Sequence, residues 1–103
     1  MGVLEKVPGV QNWIDRLPAG MLAAWNRSII YRAAVHMHQE HGMAVGHAIA
    51  SAINWCKYIV RTGDVENWPG PQQVNPKSVG ECVAALALWE SMKAYAHAHK
   101  GKG

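Results

Sequence analysis

The chain has no phenylalanine, only two cysteines among its 103 residues, and no long uninterrupted run of apolar residues. Without such a run, no segment has the length that a membrane-spanning helix needs. Two cysteines are too few for the disulfide framework of a small secreted domain. Cys56 and Cys82 fall inside helical patterns, and we expect both to be free, reduced core residues. The alternative is a disulfide between them if their helices pack together. The start of the chain also lacks the basic and apolar regions of a signal peptide. We therefore expect a protein with no membrane partner that stays in a reducing cytoplasm while it is made.

Charge is also scarce, and its distribution limits the classes of partner. Charged residues make up 17% of the chain and the formal net charge is +3. Lys100 and Lys102 supply much of the excess, so the dense basic face of a committed nucleic-acid binder is missing. Nucleic acid is therefore an unlikely partner at physiological salt, with at most a weak contact through the C-terminal tail, because unspecific phosphate contacts weaken steeply as salt rises.

Apolar residues recur at helical spacing in three long segments, and no segment alternates as a half-buried strand would. This pattern predicts an all-α fold, a small bundle of three main helices plus a short N-terminal helix. At this length the bundle forms a single domain over residues 1–103, with an irregular lead at 1–9 and a flexible basic tail at 98–103. Half of the residues are hydrophobic, which is enough for one core.

Capping and breaking residues set the predicted helix ends. The segment from Pro18 to Gly20 is expected to break the chain after the short helix, and Gly42 and Gly63 are expected to end the next two helices. Asn75 is the expected N-cap of the last helix. The predicted helices are Val10 to Leu17, Met21 to His41, Ala44 to Thr62, and Pro76 to His97. The apolar stripe of the third helix is Val45, Ile49, Ala52, Ile53, Cys56, Ile59 and Val60. The stripe of the last helix is Val79, Cys82, Val83, Leu86, Trp89 and either Met92 or Lys93.

The loop between the last two helices, Gly63 to Asn75, is the most informative segment for function. Trp68 lies there between acidic residues and two prolines. A long loop that carries its own large apolar residue often defines what a fold binds. Two interpretations of Trp68 are open. It folds back as a lid on the helices, or it anchors a neighbouring protein, with Asp64, Glu66 and Trp55 completing the partner-binding surface.

Histidines gather at the end of the second predicted helix and offer the only metal-ligand pattern. His38 and His41 are three residues apart, a spacing that can share a metal ion, and are weak candidate ligands. His36 and His41 are five residues apart, and their Cβ directions predict that they point away from each other. The order of these residues does not match the zinc-protease motif, so we expect a polar helix end, no metal site and no cofactor.

Neither catalysis nor specific DNA recognition has a strong sequence signal. The serines show no nucleophile elbow and no glycine-rich phosphate loop is present, so we expect no enzyme. The turn at residues 41–43 joins two helices as in a helix-turn-helix, which makes a small helical DNA-binding regulator the alternative function. The cations available for phosphate contacts are thinly spread: Arg27, Arg32, Lys57 and Arg61.

Short motifs between Asn12 and Lys93 carry a resemblance to a known family. They are N-W-I-D-R-L-P-A-G, G-H-A-I-A-S-A-I-N-W-C-K-Y, T-G-D, V-N-P-K and A-L-A-L-W-E-S-M-K-A. In these motifs the chain resembles a small helical domain of the virion-gene clusters of tailed actinobacterial phages, which occurs beside or fused to head-morphogenesis proteins. The chain departs from the family pattern at His47, where arginine is usual, and at Leu88 and Trp89.

The resemblance implies a non-enzymatic virion component that works in many copies. It implies a minor capsid or capsid-associated assembly protein, a structural protein made in the bacterial host cytoplasm and carried in the virion. Its expected partner is the phage capsid or another virion protein, bound through protein–protein contacts of the helix faces and the 63–75 loop.

Overall fold

The computed structural model describes residues 13–14 and 16–99, and confirms the predicted all-α class. The described residues contain no strand. A short 3₁₀ turn, Val65–Asn67, lies in the loop before the last helix. The helices in chain order are α1 Ala19–Arg27, α2 Ile29–His41, α3 Val45–Thr62 and α4 Val79–Ala98.

Half of the predicted short N-terminal helix, residues 10–12 and 15, lies outside the described residues, as do the lead at 1–9 and the tail from residue 100 onward. The described residues near its end form turns. The Arg16 N–H donates to the Trp13 carbonyl at 3.3 Å, and the Leu17 N–H donates to the Ile14 carbonyl at 3.0 Å. These turns lead directly into α1.

The long helix predicted from Met21 to His41 is instead two helices, because Ser28 interrupts it. Ser28 has an extended backbone, with ψ at 152°. Its hydroxyl donates to the Trp25 carbonyl at 2.8 Å and accepts from the Tyr31 N–H at 3.1 Å. Serine competes in this way with the helical backbone, so a single residue ends α1 and caps α2. Helical periodicity continues across the break, which is why the sequence did not show it.

Glycines end α2 and α3 where the sequence predicted. Gly42 and Gly63 have positive φ values of 67° and 73°, the left-handed conformation that glycine adopts without a steric penalty. The Gly42 N–H donates to the His38 carbonyl at 3.1 Å, and the Gly63 N–H donates to the Ile59 carbonyl at 2.7 Å. These bonds satisfy carbonyls that a helix end would otherwise leave open.

The last helix begins later than predicted. The prediction placed Pro76 in its first turn with Asn75 as the cap, but Ser78 caps α4 instead, accepting from the Glu81 N–H at 3.2 Å. The Glu81 carboxylate in turn accepts from the Lys77 N–H at 2.6 Å. A serine followed three residues later by glutamate is the signature of a reciprocal cap, and this signal was missed.

The core lies where α3 packs against both α2 and α4. Two predicted core residues, Val60 and Val83, are 39% and 48% exposed. Ala48 and Ala85 are buried in their place, because the helices meet through small residues that allow close approach. The buried residues of the four helices are Trp25, Ile29, Ile30, Ala33, Ala34, Val45, Ala48, Ile49, Ala52, Cys56, Ile59, Cys82, Ala85 and Met92.

We predict that Ser28→Ala lowers the free energy of unfolding by about 1 kcal/mol, because it removes the acceptor for the Tyr31 N–H. In a domain of this size the melting temperature should fall by about 4–8 °C. Ser91→Ala is the matched control, because Ser91 is exposed within α4 and caps no helix. Equal melting temperatures for the two variants, measured by circular dichroism, would show that the Ser28 cap contributes nothing.

Candidate interaction surfaces

The loop from Gly63 to Asn75 folds back onto α3 and buries its tryptophan. Trp68 is only 4% exposed. Its ring meets the Trp55 ring edge to face, with 5.7 Å between centroids, and its indole N–H donates to the Pro71 carbonyl at 3.1 Å. The interpretation of Trp68 as an exposed anchor is therefore wrong, and the interpretation of Trp68 as a lid on the helices describes the structure.

The backbone beside Trp68 explains why this loop needs glycine. A Cβ atom at Gly70 would lie 2.7 Å from ring atoms of both Trp55 and Trp68, closer than real Cβ atoms approach. The Gln72 side-chain amide donates to the Trp68 and Gly70 carbonyls, each at 3.2 Å. In the sequence W-P-G-P-Q, the loop therefore packs Trp68 against the helices and forms hydrogen bonds within itself.

The two acidic residues of the loop have different environments. Asp64 organises the 3₁₀ turn, since one carboxylate oxygen accepts from the Glu66 N–H at 3.1 Å and the other accepts from the Asn67 side-chain amide at 2.7 Å. Glu66 is exposed. Of the four residues predicted to bind a partner, the structure brings Trp55 and Trp68 together and commits Asp64 to the loop itself.

We predict that Trp68→Ala destabilises the protein by about 3–5 kcal/mol, because it removes a buried indole and leaves a cavity against Trp55. Urea unfolding followed by circular dichroism measures this loss. Glu66→Ala, an exposed change in the same loop, should alter the free energy of unfolding by no more than about 0.5 kcal/mol. A Trp68→Ala variant as stable as Glu66→Ala would contradict the lid assignment.

The histidines are arranged differently from the prediction. His36 and His41, expected to point apart, have ring centroids 5.8 Å from each other. His38 turns away to place its Nδ1 2.9 Å from the Met43 carbonyl oxygen. Cβ directions do not fix where a side chain with two torsions ends, and the prediction rested on those directions. Within residues 13–14 and 16–99, no three His, Cys, Asp or Glu side chains form a group that holds a metal ion.

Some of the cations considered for phosphate contacts have partners within the chain. The Arg32 guanidinium forms an ion pair with Glu81, and its Nε donates to the Arg27 carbonyl at 3.1 Å. The Arg61 guanidinium lies over the Tyr58 ring, 5.4 Å from its centroid. Two of the four arginine and lysine side chains therefore have partners within the chain.

Cys56 and Cys82 form a buried thiol pair between α3 and α4. Both are free and completely buried. Burial raises the pKa of the Cys56 thiol far above its ordinary value of 9.0, with smaller contributions from Cys82 and from the Glu81 carboxylate. Burial also raises the pKa of the Cys82 thiol. Neutral buried thiols are poor nucleophiles, so this pair packs the core and does no chemistry near neutral pH.

The raised pKa of Cys56 predicts that stability falls in alkali. Above pH 9 the unfolded chain releases the Cys56 proton while the folded chain keeps it, so the free energy of unfolding decreases as pH rises. Below pH 9 the contribution is fully present. For Cys56 we expect a loss of about 1.4 kcal/mol per pH unit above pH 9.

Urea unfolding with reductant, at pH 8 and pH 10, measures this loss. Other groups also titrate in this range, so the comparison is between wild type and Cys56→Ala. The variant should have the shallower dependence on pH. Identical slopes for the two proteins would contradict the prediction.

The outer side of α4 is a surface that the sequence reasoning missed. Cys82, Ala85 and Met92 face the core, yet the opposite side of the helix is also rich in apolar residues. Small residues recur there at intervals of four and three, which places them on one face. We call this face the outer row; its members, all exposed, are Gly80, Ala84, Ala87, Ser91, Ala94 and Ala98. Val83 lies beside it and was predicted to be in the core. The missed signal is the recurrence of small residues along one face of a helix whose other exposed positions include Glu90 and Lys93.

An open groove adjoins the outer row. This junction groove, about 280 Å³, lies between α4 and the break that separates α1 from α2. Arg27 and Glu81 are its charged residues. The other residues that line it are Ala24, Ser28, Ile29, Ala84, Ala85 and Leu88.

Aromatic packing occupies the other side of α4. The Trp89 ring lies 5.5 Å from the Trp13 ring, edge to face, and also 5.5 Å from the Trp25 ring. The Trp25 ring meets Tyr31 at 5.7 Å. A second groove, about 200 Å³, runs beside Trp13 and Trp89 toward α3. Trp89 was predicted to be a core residue, and it links α4 to α1 and to the turn that precedes α1.

Comparison of the chain with protein-family models, with curated proteins and with solved structures found no match. Among the described residues, no helix combines the length and the apolar character needed to cross a membrane. The function is therefore inferred from the surfaces of the helices and from the short sequence motifs described above.

Proposed function

We propose that the chain is a non-enzymatic virion component, a minor capsid or capsid-associated assembly protein that binds the phage capsid or another virion protein. The virion assignment rests on the sequence motifs shared with small helical domains of phage head-gene clusters. In this proposal the protein is made in the bacterial host cytoplasm and acts in many copies. The partner surface is the outer row of α4, not Trp68, because Trp68 is buried.

The observation that supports this surface is a row of small residues on the outer side of α4, with the apolar Val83 beside it, that the other helices leave uncovered. The helices α1, α2 and α3 pack against the inner side of α4, while the outer row and Val83 are exposed. Contiguous exposed apolar surface marks contact with other proteins. Small side chains also allow a second helix to approach within about 8–10 Å, so the surface suits a helical partner.

The absence of reactive groups from this surface favours binding over catalysis. The outer row contains glycine, alanine and one serine, and none of these is paired with a base in the described residues. The two cysteines do not supply a nucleophile, because burial holds them as neutral thiols away from solvent. What the outer row can do is pack closely against another apolar surface.

The proposal predicts that the wild-type chain copurifies with assembled particles and that Ala87→Arg does not. Arginine in the middle of the outer row would place a charge and a long side chain where helices must approach closely. Particles from cells that express each variant are banded in a density gradient, and the chain is detected in each fraction. Ala50→Arg is the matched control, because Ala50 is an exposed alanine on α3, away from the outer row.

Two results would contradict this prediction. A wild-type chain found only in the unassembled fractions would remove the virion assignment. If that chain also bound one DNA duplex selectively at physiological salt, the small helical DNA-binding regulator would become the better function. Equal loss of particle binding in Ala87→Arg and Ala50→Arg would mean that the outer row is not the contact surface.

A further inference from the structure

The junction groove has apolar walls and is open to solvent. Its volume is about 280 Å³, just below the range of about 300–1,000 Å³ typical of small-molecule pockets. The walls are aliphatic, contributed by Ile29, Leu88 and three alanines. These alanines and the backbone break at Ser28 leave the space between α1 and α4 unfilled. A groove of this size and chemistry is large enough to admit an aliphatic side chain with part of the backbone that carries it.

The polar groups around the groove are almost all satisfied within the chain. Glu81 forms an ion pair with Arg32 and accepts from the Lys77 N–H. The Ser28 hydroxyl both donates and accepts within the helix junction. Arg27 is different, because it is exposed and its guanidinium has no ion-pair partner among the described residues. The rim of the groove therefore carries one uncompensated positive charge.

We propose that the junction groove binds a peptide segment that presents an aliphatic side chain next to a carboxylate. The side chain enters the space between Ala24 and Leu88, and the carboxylate pairs with Arg27. A planar guanidinium can bind a carboxylate through two parallel hydrogen bonds, which fixes the direction of the bound segment. Because the groove adjoins the outer row, this inference deepens the proposed function and rests on it for the identity of the partner as a protein.

An NMR titration of the full ¹⁵N-labelled chain tests the groove directly. The probes are N-acetyl-leucine, which has both groups, and N-acetyl-leucinamide, which keeps the side chain without the charge. We expect saturable shifts of the Ala24, Ala84 and Leu88 amides with N-acetyl-leucine. Since an exposed ion pair contributes up to about 1 kcal/mol, the amide probe should bind up to about fivefold more weakly.

Variants assign the two parts of the site. Arg27→Gln should weaken N-acetyl-leucine binding to the level of the amide probe, and Lys57→Gln, which changes an exposed cation on α3, should have no effect. Ala84→Leu should abolish the shifts by filling the groove. Circular dichroism verifies that each variant is folded, and Ala84→Gly, which leaves the groove empty, keeps the test valid if Ala84→Leu does not fold.

The outcomes separate this inference from the proposed function. Absence of saturable shifts, equal affinity for the two probes, or an unchanged affinity in Arg27→Gln would each overturn the inference. Equally strong shifts with inorganic phosphate alone would also overturn it, because they would assign Arg27 to a general anion site. None of these results affects particle binding, which is measured separately with Ala87→Arg. Groove binding without particle association would instead refute the virion assignment alone.

Discussion

Close approach of α3 to its two neighbours is the constraint on which the rest of the structure depends. With no phenylalanine to fill wide spaces, the core combines isoleucine, alanine and the two thiols with the buried Trp25. Ala48, Ala52 and Cys56 are completely buried, and small side chains of this kind allow packed helices to approach closely. Such an interface tolerates little added volume. The positions of the loop closure, the thiol pair and both grooves follow from how near these helices lie.

Much of the fold could be predicted because its signals are local. The ends of α2 and α3 were predicted from Gly42 and Gly63, whose positive φ values need glycine. The class of the fold followed from spacing alone. Ser28 and Ser78 were missed because a serine hydroxyl ends or begins a helix only when the backbone around it turns, and apolar periodicity continues through both positions. Asn75 and Ser78 are both suitable N-cap residues for α4. The helix begins at Ser78 because the Glu81 carboxylate accepts from the Lys77 N–H there, and the cap preference of the two residues does not distinguish them.

The candidate surfaces were harder to predict, because exposure depends on which of several apolar faces packs inward. On α4 nearly every face is apolar, so spacing placed Val83 in the core when Ala85 occupies that position. Trp68 was ambiguous for a related reason. A tryptophan among prolines and acids fits both an exposed anchor and a closure, and the contact that decides between them, with Trp55, joins residues of different elements. The positions of the His36 and His41 rings were also not predictable, because they depend on side-chain torsions that the sequence spacing does not determine.

The closure of the loop gives this region a stability of its own. Trp68, Pro71 and Gln72 form hydrogen bonds within the loop, and the buried Trp68 ring packs against Trp55 and belongs to the hydrophobic core. Such a unit can open as a whole while the helical core remains folded. Opening of the loop would expose the indole rings of Trp55 and Trp68 together. An otherwise folded molecule would then have an apolar aromatic patch on its surface. The segment from Pro69 to Pro71, whose glycine allows both rings to pack, therefore keeps this apolar surface covered while it connects two helices.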